Sequence, residues 1–155
     1  MISLLDLIQE LRGVIGALDG AELPYGLCGG LAMAVHGYPR ATIDIDVLVL
    51  VDDVSRIQDA VRPLGFVLRA EPMSFRGGDV EIRLISKTLS DGQILSLDLL
   101  LVTPAVRAAW DSRQVVEWDF GSISVVSREG LILMKSLRGS GLDQDDIDHL
   151  REGDS

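Results

Sequence analysis

The segment from Thr42 to Val51 has the sharpest two-residue period in the chain. Ile43, Ile45, Val47 and Val49 alternate there with Thr42, Asp44, Asp46 and Leu48. That period predicts a β-strand with one apolar face. Asp44 and Asp46 then project from the other face, with Cα atoms roughly 6.5–7 Å apart. Two carboxylates so close repel each other unless a cation or a shared proton neutralises them. A second segment, Ile94 to Val102, is almost wholly apolar except for Ser96 and Asp98. A lone charge in such a strand is costly, so the pattern predicts that strand 94–102 lies beside strand 43–51, with Asp98 facing the pair. The bland alternative is a solvent-facing pair with Asp98 on an edge.

A divalent ion would resolve the repulsion. Mg²⁺ (or Mn²⁺) takes oxygen ligands, commonly one or two carboxylates together with waters and substrate phosphates. Asp44, Asp46 and Asp98 are the candidate metal ligands and the candidate catalytic residues. A site holding two such ions activates a hydroxyl and stabilises a leaving pyrophosphate.

The remaining pattern is mixed. Ser3 to Leu18 has apolar residues at helical spacing, with Ser3 as N-cap, Asp6 in the first turn and Gly20 just past the end. Strands are predicted at Leu23–Leu27, Phe66–Arg69, Val80–Ile85, Val115–Trp118 and Ser122–Val126, and helices at Leu31–His36, Asp53–Val61, Pro104–Trp110, Ser127–Arg138 and Leu142–Leu150. Pro72–Asp79 reads as a loop. Helices interspersed with hairpins indicate an α+β or α/β domain with a mixed sheet. The length suits one domain over residues 1–150, with 151–155 a frayed tail.

Gly29-Gly30 falls between a strand and a helix. Glycines let a backbone approach phosphate closely, and a helix N-terminus offers free N–H groups. A plain tight turn is the competing explanation. Arg40 is placed to contact a triphosphate or to pair with a carboxylate, and Thr42 shares the face of Asp44 and Asp46. His36 is read as a structural cap and Cys28 as a small core residue.

The net charge of −10 argues against a large nucleic-acid surface, because phosphate binding is driven by Lys and Arg. A single cysteine rules out an internal disulfide. No apolar run approaches the ~20 residues of a membrane span. The first ten residues have no basic n-region, so a cytoplasmic location is expected.

Taken in order, Gly29-Gly30 with its helix, Arg40-Ala-Thr42-Ile-Asp44-Ile-Asp46, and Asp98 in a later strand resemble the nucleotidyltransferase superfamily of DNA polymerase beta. Within it the segment is similar to small bacterial nucleotidyltransferases of the abortive-infection toxin type. The resemblance covers residues 25 to about 102. It implies a mixed β-sheet flanked by helices and Mg²⁺-dependent transfer of a nucleoside monophosphate from a nucleoside triphosphate to a hydroxyl of a protein, RNA or small molecule. It further implies Asp44 and Asp46 as metal ligands, Asp98 as the third carboxylate, which helps to activate the acceptor hydroxyl, and Gly29, Gly30, Arg40 and Thr42 at the nucleotide. Lys135 matches a nucleotide-contacting lysine of the toxin-type relatives, although among Leu131, Ile132, Met134 and Leu137 it reads equally as a snorkelling helix residue. Asp143 and Asp146 resemble the acidic end of that segment, and equally read as a solvated face.

The chain departs from the family pattern at Leu31, where a phosphate-binding hydroxyl is usual. It also stops soon after the Lys135 helix, so the acceptor is expected on a small surface, at a homodimer interface or on an antitoxin-like partner. The alternative function is a nucleotide-binding module, weakly active or inactive, working in a complex.

Overall fold

The computed structural model describes residues 2–37, 44–138 and 141–152; the side chains of residues 138 and 141–146 lie outside that description. Helix α1 (Leu4–Gly20) starts as its sequence predicts: the Ser3 hydroxyl accepts the Asp6 amide at 3.1 Å, satisfying one of the free N–H groups of the first turn. It buries Leu7, Leu11, Val14, Ile15 and Leu18, the i, i+3, i+4 stripe of an amphipathic helix. β1 (Gly26–Cys28) follows, then α2 (Gly29–Val35), β2 (Asp44–Val49) and α3 (Val54–Val61). Strands β3 (Leu68–Arg69), β4 (Met73–Phe75), β5 (Val80–Thr88) and β6 (Ile94–Leu101) come next. The chain closes with α4 (Arg107–Asp111), the hairpin β7 (Gln114–Trp118) and β8 (Gly121–Val125), and helices α5 (Arg128–Arg138) and α6 (Gly141–Glu152).

The described strands form one mixed sheet in the order β3-β5-β6-β2-β1-β8-β7, with β4 also paired to β5. β2 runs parallel to β6 and antiparallel to β1. Ile45, Val47 and Val49 share a face with Leu95, Leu97, Leu99 and Ile85, and all of them are essentially solvent-free. On that face Lys87 of β5 reaches Glu10 of α1 at 2.9 Å, which ties α1 over it. The opposite face carries Asp44, Asp46, Ser96 and Asp98, all half-buried; α5 lies on this side. The core and the carboxylate face are thus the two sides of the same alternation.

Two expectations change. β1 pairs only from Gly26 and runs through Cys28, whereas the strand was expected at Leu23–Leu27. Residues 72–79 are more ordered than a loop, because β4 pairs with the start of β5, Met73 opposite Ile82 and Phe75 opposite Val80. Arg76, Gly77 and Gly78 all take positive φ (52°, 65° and 96°), and a reversal of that hand is tight enough to fold Met-Ser-Phe back onto Val80.

Helix α5 is capped by Ser127, whose hydroxyl accepts the Gly130 amide at 3.0 Å. Gly130 also sets how closely α5 meets α4. A Cβ there would stand 2.6 Å from both Ser112 Oγ and Val126 Cγ1, and 3.1 Å from the Ala109 Cα. Gly130→Ala is expected to cost about 1–3 kcal/mol through overpacking, read as a lower urea midpoint at unchanged m-value.

Candidate active site

The register of β2 against β6 decides the site. Asp46 stands directly opposite Asp98, and Asp44 opposite Ser96. Neighbouring strands lie about 4.8 Å apart, so these four polar side chains occupy one small patch of the sheet face. The Ser96 hydroxyl donates to Asp98 Oδ1 at 2.5 Å, which fixes the rotation of that carboxylate. Ser96 was not singled out in the sequence, yet its spacing of two from Asp98 was the available signal.

The Asp44 carboxyl is pushed above the usual carboxylate range, first by burial and second by the negative charge of Asp98. A folded-state pKa above the unfolded one means that the folded chain holds the proton more tightly. That contribution favours folding at low pH and is lost as pH rises through the folded pKa. Ionised Asp44 is therefore a cost at neutral pH. Asp44→Asn is expected to raise the melting temperature at pH 7, with the gain shrinking towards zero below about pH 4, where an ordinary aspartate takes up its proton. Thermal melts of both proteins across pH 4–7 check this.

Gly29 is held against Asp46. It has φ +67°, and a Cβ there would come within 2.7 Å of Asp46 Cγ and 2.8 Å of Asp46 Cβ. Any side chain would thus meet the carboxylate as well as the strain of a left-handed backbone. Sequence reasoning gave this glycine to phosphate approach; the tertiary structure adds that it makes room for Asp46.

Asp46, Asp98 and Gly29 line a cleft of about 540 Å³. Lys135, only 6% exposed, lines the same cleft, so α5 brings a buried cation to the carboxylates. The rest of the lining includes Met73, Phe75, Val80, Ile82, Leu100, Leu131 and Met134. None of these was picked out in advance. Leu100 alone had a legible signal, as the next same-face residue after Asp98.

Other expectations sort as follows. Cys28 is buried and pairs opposite Asp46. Leu31, where a hydroxyl was expected, is packed into the core. Gly30 is the second residue of α2, and among the described residues the cleft takes Gly29 in its stead. His36 has a structural role: it ends α2, its Nε2 lies 2.9 Å from the Val126 carbonyl, and Arg128 donates to the His36 carbonyl. Arg40 and Thr42, and the side chains of Asp143 and Asp146, lie outside the described residues.

Among the described residues, no group of three or more His, Cys, Asp or Glu side chains is gathered closely enough to hold a metal by itself. The arrangement still suits Mg²⁺, which usually needs only one or two carboxylates when substrate phosphates complete the shell. No described helix is long and apolar enough to cross a membrane.

No family model and no curated protein matches the chain. Solved structures do. A candidate nucleotidyltransferase from Thermotoga maritima superposes with a TM-score of 0.64 at 15% identity, over 97% of this chain and 94% of that one. The antibiotic-resistance factor ANT(2″)-Ia gives 0.62 at 16%, covering 95% and 82%. The lincosamide antibiotic adenylyltransferase LnuA, solved with lincomycin, gives 0.56 at 13%, covering 92% and 95%. The mixed sheet with its flanking helices is therefore the fold of nucleotidyltransferase-like proteins.

Proposed function

We propose that this protein is a Mg²⁺-dependent nucleotidyltransferase that moves a nucleoside monophosphate from a nucleoside triphosphate to an acceptor hydroxyl. One observation carries the reading: Asp46 and Asp98 face each other across parallel strands at a cleft, with Asp44 beside them on β2. Negative charge is gathered there at a cost to the fold, as the raised Asp44 pKa records, and such sites are candidates for chemistry.

Asp46, Asp98 and Asp44 would hold the ion together with the triphosphate. A bound Mg²⁺ supplies neutralisation of charge on the phosphates and the leaving pyrophosphate. The chain's own residues do the rest. Gly29, next to Asp46, keeps that carboxylate in place. Asp98 receives the acceptor's proton at Oδ2, since Oδ1 is engaged by Ser96. The freed acceptor oxygen bonds to the α-phosphorus as the bond from that phosphorus to pyrophosphate breaks. Lys135 and Arg40 are assigned to the phosphates, and Thr42 and Gly30 to the nucleotide side.

Incubation with Mg²⁺ or Mn²⁺ and α-labelled nucleoside triphosphates tests this, with pyrophosphate release as the readout. Release that depends on both the ion and Asp98 is expected; no nucleotide binding by the intact protein would sink the reading. Because the carboxylates do not form a metal-holding group alone, Mn²⁺ should bind much more tightly with nucleotide than without it.

A second reading has its own observation. Leu31 lies in the core, so it supplies no hydroxyl to phosphate. A nucleotide-binding module working beside a homodimer mate or an antitoxin-like partner would then bind nucleotide without turnover.

A further inference from the structure

The sheet order also ranks the cleft from one end to the other. Gly29 sits at the β1–α2 junction, next comes Asp46 on β2, then Asp98 on β6. Beyond Asp98 lie Ile82 on β5, directly opposite Leu100, and Phe75 on β4, opposite Val80. All of these residues line the cleft. The carboxylates therefore separate a glycine end from an apolar end.

An in-line displacement puts the attacking and leaving oxygens on opposite sides of phosphorus. With the triphosphate towards Gly29, the acceptor falls on the far side of Asp98. That side is an apolar wall, and Phe75 on it is 47% exposed, a large aromatic surface on a hairpin held by three left-handed residues. Two cations line the described cleft, Arg76 and Lys135, on a chain of net charge −10. A nucleic-acid acceptor would need many more phosphate contacts. A cleft of about 540 Å³ with apolar walls and few polar groups is instead typical of small-molecule sites.

Resting on the nucleotidyl-transfer reading, we infer that the wall of Phe75, Ile82 and Leu100 is the acceptor subsite, and that it takes a hydroxyl-bearing small molecule with an apolar, aromatic or aliphatic body. Phe75 is the specificity-determining residue of that subsite.

The methionines give a direct readout. Met73 and Met134 line the cleft, whereas Met33 is 1% exposed in the core and serves as an internal control. The protein carrying ¹³C-methyl methionine, with Mg²⁺ and a non-hydrolysable ATP analogue, is titrated with 2-naphthyl-β-glucoside, myo-inositol or an RNA tetranucleotide. The naphthyl glucoside is expected to shift Met73 and Met134 but not Met33, with myo-inositol silent. Phe75→Ser, at an exposed position that the fold tolerates, should weaken that binding about tenfold and leave the affinity for the ATP analogue unchanged. Shifts from the tetranucleotide with the glucoside silent would overturn the inference, as would no shift from any of the three, or an unchanged glucoside affinity in Phe75→Ser. Failure of the ATP analogue to bind is scored separately in the same sample, and counts against nucleotidyl transfer and not against the wall.

Discussion

Gly29→Ala is expected to remove the proposed nucleotidyl transfer and to destabilise the fold by about 2–5 kcal/mol. Two costs combine. A non-glycine residue at φ +67° loses roughly 1–2 kcal/mol to steric crowding of its own backbone. Forcing a methyl group to within 2.8 Å of the Asp46 side chain adds about 1–3 kcal/mol of overpacking. For a chain of this size the melting temperature should fall by roughly 4–20 °C. The residue displaced is Asp46, so the loss of activity and the loss of stability share one origin. Gly29→Ala combined with Asp46→Gly should therefore cost less stability than the two changes summed. Full additivity would mean that the contact with Asp46 is not what requires glycine.

Asp98→Asn separates activity from stability. Asparagine keeps the shape and can still accept the Ser96 hydroxyl, but it cannot take up the acceptor proton. Transfer should fall about 10²–10⁴-fold, the usual worth of a positioned acid–base group. Folding should not suffer in the same way. The charge of Asp98 is one of the two causes that raise the Asp44 pKa, so its removal lets Asp44 ionise more readily. In ¹³C titrations the Asp44 carboxyl should move down towards the ordinary carboxylate range, while still held up by burial. Transfer within a few-fold of wild type would exclude Asp98 as the proton acceptor. An unmoved Asp44 would show that the two charges are not coupled.

The two variants test different sides of the cluster. Gly29 governs whether Asp46 can occupy its place. In the proposed mechanism Asp98 governs whether the place, once formed, can carry out proton transfer. The likeness to solved nucleotidyltransferase-like proteins supports the fold that both rely on, at 13–16% identity for the three structures compared. The proposed chemistry rests on the carboxylates themselves.

Much of the fold was legible because its signals are local. The period of two in Ile43–Val49 marked one strand and the nearly unbroken apolar run of Ile94–Val102 the other, and the lone charge in that run pointed Asp98 towards Asp44 and Asp46 before any pairing was known. The Ser3 cap is likewise written in adjacent residues. The cleft wall was not legible. Met73 and Phe75 sit in a stretch whose Gly and Pro content suggests a loop, and its short strand exists only because β5 supplies a partner. Ile82, Leu131 and Met134 look like ordinary core residues of their own elements. Nothing nearby in sequence tells that they face a cavity and not another side chain.

The sequence by itself determined which residues carry charge on which strand face, because side-chain direction alternates with the backbone of each strand. The lone charge in an apolar strand also predicted that Asp98 faces the pair; tertiary structure decided the register that sets it directly opposite Asp46, that Gly29 must be glycine to admit Asp46, and that Lys135 shares their cleft. Those facts depend on the pairing of β2 with β1 and with β6 and on the docking of α5. Pairing energy and packing over the whole sheet set both, and no local pattern encodes either.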